Sequence, residues 1–327
     1  MRRRIGGARR PVVAAWRGKR FGGSIRVHCL VTGATGYLGQ ALVAALLAAG
    51  FDVTAHSRRR ELPAALRSRV QVLHGDLTLQ ADGLALDTVD IVFHLAAIAH
   101  HRASSQAYRR CNLDMTVALA RAAAAAGVAR FVFLSSVKAA GPAGDGAHTD
   151  MPMDYARSKA LAERQLSALD GDWPMNIVVV RPALVYGDDA PGHLALLRRW
   201  VRWRLPVPPA GGARSMIGRE DLVRVCVELG DLRRSVPRRL TVTDGEAYTA
   251  RRLHAALCHA AQRRPLLPSP PAFLWRLGAA AFDALQGHAL GSTWTRLTGN
   301  DLACAEGLEE LGFTPSRTFE RSLGPSR

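Results

Sequence analysis

The sequence predicts an α/β protein with a doubly wound parallel sheet and a smaller C-terminal lobe. Apolar runs rich in β-branched residues alternate with helical segments up to Pro182, and a glycine-rich turn joins the first strand to the first helix. The alternation fades after Pro182, where prolines cluster. Of the 327 residues, 48% are apolar and 22% are charged, which is typical of a folded soluble protein and excludes gross disorder.

The predicted elements follow one another along residues 25–182. Gly50 and Gly127 close two alanine-rich helical segments, as glycine does at many helix ends. Thr249 is a predicted helix N-cap in the later part of the chain. Strands are predicted at 25–32, 51–55, 70–73, 90–95, 130–135, 176–181 and 240–242, and helices at 38–49 and 104–126.

Charge divides the chain into a basic extension and a body. The net charge is +17, from 44 Lys and Arg against 27 Asp and Glu, and residues 1–24 alone hold eight basic and no acidic residues. We expect residues 1–24 to be a disordered extension or a weak anchor to anionic lipid. Residues 25–182 then form the sheet domain, and residues 183–327 form a substrate-binding lobe partly interleaved with that domain.

Several classes of protein are disfavoured. The five cysteines are scattered with no C-x-x-C pair, so we expect no disulfide scaffold, no metal site and a reducing, cytoplasmic location. No run of 18 uncharged apolar residues could span a membrane. No zinc-finger, basic-zipper or RNP-type signature accompanies the basic charge, so no nucleic-acid partner is expected.

The turn after the first strand predicts a dinucleotide site. Residues 31–39 read VTGATGYLG, which places Gly33, Gly36 and Gly39 at G-x-x-G-x-x-G spacing. Such glycines allow a tight turn, a close approach of the backbone to a pyrophosphate and close packing of helix on strand. The N-terminus of the following helix stabilises the negative charge.

The end of the second strand bears on the choice between NAD and NADP. An acidic residue there would bind the adenosine ribose hydroxyls of NAD, whereas an arginine accommodates the phosphate of NADP. The chain has Ser57 and Arg58, with no carboxylate before Glu61. This slightly favours NADP, the alternative being a solvated basic loop. Asp76, after the third strand, is placed to contact the adenine amino group.

A tyrosine and a lysine four residues apart are the candidate catalytic pair. Tyr155 and Lys159 would share one face of a helix, and Lys159 is one of three lysines beside 41 arginines. A phenol has a pKa near 10, and a neighbouring ammonium together with a positive nicotinamide would lower it. The phenolate could then accept a proton from an alcohol, and the phenol could return it.

Five motifs occur in a fixed order: VTGATGYLG (31–39), HLAA (94–97), CNLDMT around Asn112, FVFLSSVKAAG (131–141) and YARSK (155–159). Their combination resembles the extended short-chain dehydrogenase/reductase family. Within it, the chain is most similar to the NAD-dependent epimerase/dehydratase group that acts on nucleotide sugars, over residues 25–323.

The resemblance implies roles for individual residues. Tyr155 would be the acid and base, Lys159 would hold the nicotinamide ribose, and Ser136 would hydrogen-bond the reacting oxygen, with Ser135 as the neighbouring candidate. Asn112 would order a water near the lysine, or be an ordinary polar residue at a helix start. The implied cofactor-binding residues are Gly33, Gly36, Tyr37, Leu38, Gly39, Ser57, Arg58, Asp76, Leu77, Leu95, Ala96, Ala97, Tyr155 and Lys159.

On the substrate side, the resemblance points to a nucleotide sugar. Arg214 occupies the place of an arginine that contacts the substrate diphosphate, and Asp221 that of an aspartate that starts a helix. The segment LEELGFTP (308–315) resembles a structural closing motif. Ala183 stands where 4-epimerases often carry asparagine, which weakens the case for uridine-diphosphate-glucose itself.

The predicted function is an NAD(P)-dependent oxidoreductase acting at C4 of a nucleoside-diphosphate sugar. The alternatives are an NADPH-dependent 4-ketoreductase of a sugar, including a lipid-linked one, another carbonyl reductase, or a dinucleotide-sensing regulatory protein. Family members often dimerise through paired helices, so a homodimer through helix 113–126 is expected. The basic segment 198–204 with Phe273, Leu274 and Trp275 could add a weak peripheral membrane contact.

Overall fold

The structure is a computed structural model that describes residues 26–58, 61–80, 83–99, 103–140, 154–169, 173–266, 268–285, 287 and 290–324. Its strands are β1 (His28–Thr32), β2 (Asp52–Ser57), β3 (Gln71–His74), β4 (Ile91–His94), β5 (Arg130–Leu134), β6 (Asn176–Pro182), β7 (Leu184–Tyr186), β8 (Ala213–Gly218), β9 (Arg239–Val242) and β10 (Ala247–Thr249). The predicted extension at residues 1–24 lies outside the described residues.

The helices are α1 (Tyr37–Ala48), α2 (Ala64–Arg67), α3 (Leu77–Gln80), α4 (Ser105–Tyr108), α5 (Met115–Ala125), α6 (Tyr155–Leu169), α7 (His193–Arg202), α8 (Arg219–Glu228), α9 (Ala250–Ala260), α10 (Ala272–Leu285), α11 (Ser292–Thr298) and α12 (Phe319–Ser322). The Thr249 hydroxyl accepts a hydrogen bond from the Arg252 amide, which confirms the predicted N-cap of α9.

The central sheet confirms the doubly wound prediction. Within the described residues, seven parallel strands run in the order β3-β2-β1-β4-β5-β6-β9. The chain winds outward from β1 in both directions, so the strand order reverses between β1 and β4. Ligands of such sheets bind in the crevice at the carboxyl ends of the strands, at this reversal.

Two apolar cores hold the helices against the sheet. Leu42, Val43 and Leu46 of α1 belong to the core on one face, together with Leu222 and Val225 of α8. On the other face, the core combines buried residues of α5 and α6 with those of β5 and β6; they include Leu119, Ala123, Ala162, Leu166, Phe131 and Val179.

The later part of the chain contributes both to the central sheet and to a second lobe. Strand β9 pairs with β6 at the edge of the central sheet, with Leu240 opposite Val180. Strands β7, β8 and β10 form a separate small sheet in which β8 lies in the middle. A third core gathers Tyr186, Tyr248 and Phe319 at edge-to-face angles under this sheet.

One predicted helix is interrupted. The segment predicted as a continuous helix over 104–126 consists of α4, a π-helical turn at Arg109–Asp114, and α5. A π turn accommodates an extra residue in a helix, and such turns are frequent at functional sites. Here it carries the buried Asn112, whose side-chain partners lie outside the helix.

Candidate active site

The glycine turn between β1 and α1 forms a tight cradle. Gly33 has φ of +68°, and a Cβ there would lie 2.8 Å from the Ala96 nitrogen, so this turn needs glycine. A Cβ on Gly39 would overlap the carbonyl oxygen of Gly33. Gly36 is the N-cap of α1, and the helix N-terminus follows it directly. The Tyr37 hydroxyl is buried next to Gly187, without a hydrogen-bond partner among the described residues.

Four predicted cofactor residues line the neighbouring strand ends. Ser57 ends β2 and is buried, and its hydroxyl lies 3.4 Å from that of Thr35. Arg58 follows and is exposed, whereas Arg59 and Arg60 lie outside the described residues. One oxygen of Asp76 accepts hydrogen bonds from the Thr78 amide and hydroxyl at the start of α3, and Leu77 is buried.

These strand ends converge on the π turn. Burial raises the pKa of the Cys111 thiol, while Arg58 lowers it and Asp76 raises it. Arg58 and Asp76, which follow β2 and β3, thus both act on a residue of the π turn, at the carboxyl ends of strands where ligands of such sheets bind.

Asn112 connects the loop after β4 to the helix of the catalytic pair. Its Oδ1 accepts from the Ile98 amide at 2.8 Å, and its Nδ2 donates to the Ile98 carbonyl at 3.1 Å and to the Ser158 hydroxyl at 2.9 Å. Ser158 in turn donates to the Tyr155 carbonyl at 2.8 Å. Both amide hydrogens are thus used by protein acceptors, so only Oδ1 has capacity left for a water.

The same loop carries the other predicted cofactor residues. The Leu95 amide donates to the Thr32 carbonyl at 3.3 Å and the Ala96 amide to the Thr32 hydroxyl at 3.3 Å, and Ala97 follows. These bonds hold the loop against the glycine cradle.

Behind this loop, His94 is a buried polar link. Its two ring nitrogens lie 2.8 Å from the Thr32 hydroxyl and 3.0 Å from the Thr116 hydroxyl. Burial, with Lys159 nearby, lowers the pKa of His94 to about 3, so the ring is neutral.

Tyr155 and Ser136 form a hydrogen-bonded pair. Tyr155 begins α6, Ser136 follows β5, and the two hydroxyl groups are hydrogen-bonded. Burial raises the pKa of the Tyr155 phenol, while the bond from Ser136 lowers it. Desolvation is the largest effect in the protein without its cofactor, and the lowering expected from the ammonium together with a positive nicotinamide stays a prediction.

Lys159 lies one helical turn beyond Tyr155 and is buried. Its Nζ donates to the Leu134 carbonyl at 2.7 Å and lies 4.5 Å from the centre of the Phe133 ring. Burial lowers the pKa of Lys159 to about 7, although Glu163 raises it. The amine therefore titrates near neutral pH.

A buried ion pair behind Lys159 was missed by the reasoning from sequence. The Glu163 carboxylate accepts hydrogen bonds from the Ser135 hydroxyl and from Arg181, with Arg181 Nε at 3.0 Å and Nη2 at 2.5 Å. Ser135 is thus bound to Glu163, while Ser136 is the serine paired with Tyr155. The spacing of Tyr155, Lys159 and Glu163 at i, i+4 and i+8 was a usable signal, because it places all three on one helix face.

The second lobe holds the remaining predicted residues. Arg214 lies near the start of β8 opposite Tyr248 of β10, and is half-buried. Asp221 lies in the first turn of α8 and accepts from the Ser316 amide at 3.0 Å and the Ser316 hydroxyl at 2.8 Å. Asp221 therefore anchors the closing segment to α8.

Comparison with known proteins agrees with this geometry. Residues 29–232 match the sequence model of the NAD dependent epimerase/dehydratase family. The chain belongs to this family. The resemblance inferred from the motifs is confirmed, and with it an enzyme that uses a nicotinamide dinucleotide. The slight preference for NADP over NAD stays a prediction.

Relatives in the family include epimerases and reductases. The UDP-glucose 4-epimerase of Vibrio cholerae is 29% identical over 314 residues, which cover 90% of this chain and 92% of the relative. The ceramide reductase of Caulobacter vibrioides is 31% identical over 305 residues, covering 88% and 85%. The structure of MoeE5 in complex with UDP-glucose and NAD superimposes with a TM-score of 0.67 at 26% identity, covering 90% of this chain and 96% of MoeE5.

The residues of this epimerase/dehydratase family member fit its cofactor. Gly33, Gly36 and Gly39 allow the backbone of this turn to pack tightly, and the N-terminus of α1 follows it with no acidic residue in the first turn to repel a pyrophosphate. Gly36, Tyr37 and Leu38 would hold the pyrophosphate, and Ser57 with Arg58 the adenosine ribose. Among the described residues, no helix is long and apolar enough to cross a bilayer.

Proposed function

We propose that this enzyme moves a hydride between a nicotinamide dinucleotide and C4 of a nucleoside-diphosphate sugar, with Tyr155 as acid and base. The observation that carries the chemistry is the grouping of Tyr155, Ser136 and Lys159 after β5 and on α6, beside the glycine cradle. Tyr155 and Ser136 together offer two hydroxyl groups to one substrate oxygen.

In the oxidation step, Tyr155 accepts the proton of the C4 hydroxyl while the C4–H bond breaks and the C4=O bond forms. Ser136 donates a hydrogen bond to the same oxygen and stabilises the charge that develops there. A nicotinamide held through its ribose by Lys159 would supply the hydride acceptor, and return of the hydride to the opposite face of C4 would invert that centre. Tyr155 then gives the proton back, and the product differs from the substrate only at C4.

Arg214 supports a diphosphate substrate. A guanidinium can bind two phosphate oxygens at once, and Arg214 is half-buried in the second lobe. Residues 190–219 contain six arginines and no acidic residue, so this part of the lobe favours an anionic ligand. UDP-glucose bound to MoeE5 and the epimerase of Vibrio cholerae support the same substrate class.

A second candidate is an NADPH-dependent reductase of a ketone on a lipid or a lipid-linked sugar. Burial raises the pKa of Tyr155 and so keeps it a phenol at neutral pH, the form that donates a proton to a ketone oxygen. Arg58 at the end of β2 favours NADPH, and the buried Ala183 replaces the asparagine expected in a 4-epimerase. The similarity to a ceramide reductase supports this candidate.

The decisive experiment incubates the purified enzyme with NAD and UDP-glucose and measures UDP-galactose by chromatography. Tyr155→Phe should lower turnover by about 10²–10⁴-fold, because it removes the acid and base but keeps the ring. Tyr248→Phe is the matched control, since it also removes a buried hydroxyl, one that bonds Asp244 in the second-lobe core. We expect Tyr248→Phe to keep its turnover.

The outcomes separate the candidates. Conversion of UDP-glucose supports the epimerase, whereas oxidation of NADPH with a keto-ceramide and no conversion of UDP-sugars supports the reductase. Wild-type turnover in Tyr155→Phe with whichever substrate reacts would overturn the role given to Tyr155 in both.

A further inference from the structure

Helix α10 is attached to the protein by one narrow side. Trp275, Ala279 and Asp283, spaced four residues apart, face the second lobe. The Trp275 ring lies 5.8 Å from that of Trp200 at the end of α7. The buried Asp283 accepts from the Thr293 hydroxyl at 2.5 Å, at the start of α11.

The opposite side of α10 is apolar and faces outward. We call it the α10 face: Phe273, Leu274, Leu277, Phe282 and Leu285, whose side chains are 48 to 84% exposed. Together with Gly278, Ala281 and Ala284 they cover about half the helix circumference at ~100° per residue, with no charged residue among them. A surface helix normally turns its large apolar side chains inward. This helix turns five of them outward.

We call six arginines the arginine rim: Arg276 on α10 itself, and Arg199, Arg202, Arg204, Arg263 and Arg264 in segments that reach α10 through the contact of Trp200 with Trp275. Hydrogen bonds from side chains to backbone join these segments: Arg263 Nη1 donates to the Arg202 carbonyl at 2.6 Å, and Arg204 Nε donates to the Arg264 carbonyl at 3.0 Å. The Trp200–Trp275 contact connects this part of the lobe to α10.

Two more side chains add apolar surface to the rim. Trp203 is 53% exposed with the Arg199 guanidinium 4.7 Å from its ring centre, and Leu266 is 68% exposed. Tryptophan and arginine side by side are typical of segments at a membrane–water interface.

The segments that carry the rim are basic. Residues 190–219 and 247–282 contain eleven arginines and no aspartate or glutamate, although Arg252 is paired with Glu246 and Glu320. An occupant of this surface must therefore be apolar where it meets α10 and anionic where it meets the rim. A second copy of the chain would bring two arginine rims together, and residues 1–24, with eight basic residues and no acidic one, would add like charge.

We propose that the α10 face inserts into the headgroup region of an anionic lipid bilayer, with the arginine rim on the lipid phosphates. An amphipathic helix lying in the interface plane binds through its buried apolar area together with electrostatic attraction. The docking does not depend on which reaction Tyr155 serves. It would bring the second lobe of the enzyme to a membrane surface.

The test measures co-sedimentation of the full chain with vesicles of phosphatidylglycerol and phosphatidylcholine, and with vesicles of phosphatidylcholine alone. We expect at least ~tenfold tighter binding to the anionic vesicles, weakening as salt is added. Leu277→Glu should weaken binding by at least ~tenfold, since it places a negative charge in the apolar face. Leu79→Glu is the matched control, because Leu79 is 79% exposed on α3, away from α10.

Three results would overturn the proposal. Equal binding to both kinds of vesicle would remove the role of the arginine rim. Unchanged binding of Leu277→Glu, or an equal loss in Leu79→Glu, would remove the role of the α10 face. A full chain that is dimeric by light scattering, becomes monomeric on Leu277→Glu and does not bind vesicles would assign the face to a second copy. Unchanged circular dichroism and melting temperature verify that both variants fold.

Discussion

Replacing Glu163 with glutamine should destabilise the protein, because it leaves the Arg181 guanidinium buried without a counter-charge. The two side chains are 4% and 13% exposed, and the carboxylate accepts from Arg181 Nε at 3.0 Å and Nη2 at 2.5 Å. Ser135 donates to the same carboxylate. Removing one partner of a buried pair costs ~3–5 kcal/mol, and we expect about 3 kcal/mol here since glutamine keeps one accepting oxygen.

The matched control is Glu228→Gln. Glu228 and Arg234 are also 2.5 Å apart, but their side chains are 47% and 38% exposed. Water and salt screen this pair, so we expect a loss below ~1 kcal/mol. The two pairs have the same shortest distance between charged atoms but differ in burial and in the number of hydrogen bonds to the carboxylate.

The assay is urea unfolding followed by circular dichroism at pH 7.5, with the same cofactor loading for every variant. The free energies of unfolding are compared through midpoints at an unchanged denaturant slope. Adding Arg181→Met to Glu163→Gln should restore part of the stability, because no unpaired charge then stays buried. A loss in Glu163→Gln that equals the loss in Glu228→Gln would refute the reasoning.

Three further predictions concern the site and its support. Burial lowers the pKa of Lys159 to about 7 from its ordinary 10.5, so between these values the unfolded chain binds the extra proton and stability rises with pH. Lys159→Met should remove up to ~1.4 kcal/mol of this rise per pH unit. Urea unfolding at pH 7.5 and 8.5 tests this, and an equal change of the free energy of unfolding with pH in the wild type and in Lys159→Met would contradict it. Gly39→Ala should lower the free energy of unfolding by ~2 kcal/mol and weaken NAD binding. Gly278→Ala, with open space around its Cβ, should raise the free energy of unfolding by up to ~1 kcal/mol. Calorimetry measures the stability of both variants, and NAD titration measures their affinity. Asn112→Ala should cost ~3 kcal/mol in urea unfolding because buried backbone groups lose their partners, and a similar loss in Asn300→Ala, which removes one exposed bond, would argue against this.

Local sequence patterns were sufficient for the fold of the sheet domain. The run ending at Thr32, the glycines that follow and the helix closed before Gly50 each lie within a few residues of the predicted bounds. The spacing of apolar residues and the residue types of turns reflect interactions between near neighbours in the chain, so they can be recognised before the fold is known. The order of the motifs was likewise sufficient to identify the family, which the match over residues 29–232 confirms.

Contacts between segments that are distant in the sequence could not be predicted from these local patterns. Asn112 lies in the π turn and bonds Ile98 and Ser158, which are 14 and 46 residues away in the chain. Glu163 of α6 meets Arg181 of β6; the spacing from Tyr155 indicates the helix face of Glu163 but not its partner on the strand. The raised pKa of Tyr155 follows from burial, which depends on every element packed around it.

Helix α10 shows most clearly which features the sequence predicts and which only the tertiary structure decides. The sequence by itself predicted no helix over these residues; it suggested only that Phe273, Leu274 and Trp275 contribute to one weak membrane contact. The tertiary structure turned Trp275 inward against Trp200 and left Phe273, Leu274 and Leu277 outside. Hydrophobicity determines which side chains gain free energy by leaving water, but only the neighbouring helices and strands decide which of these side chains are buried.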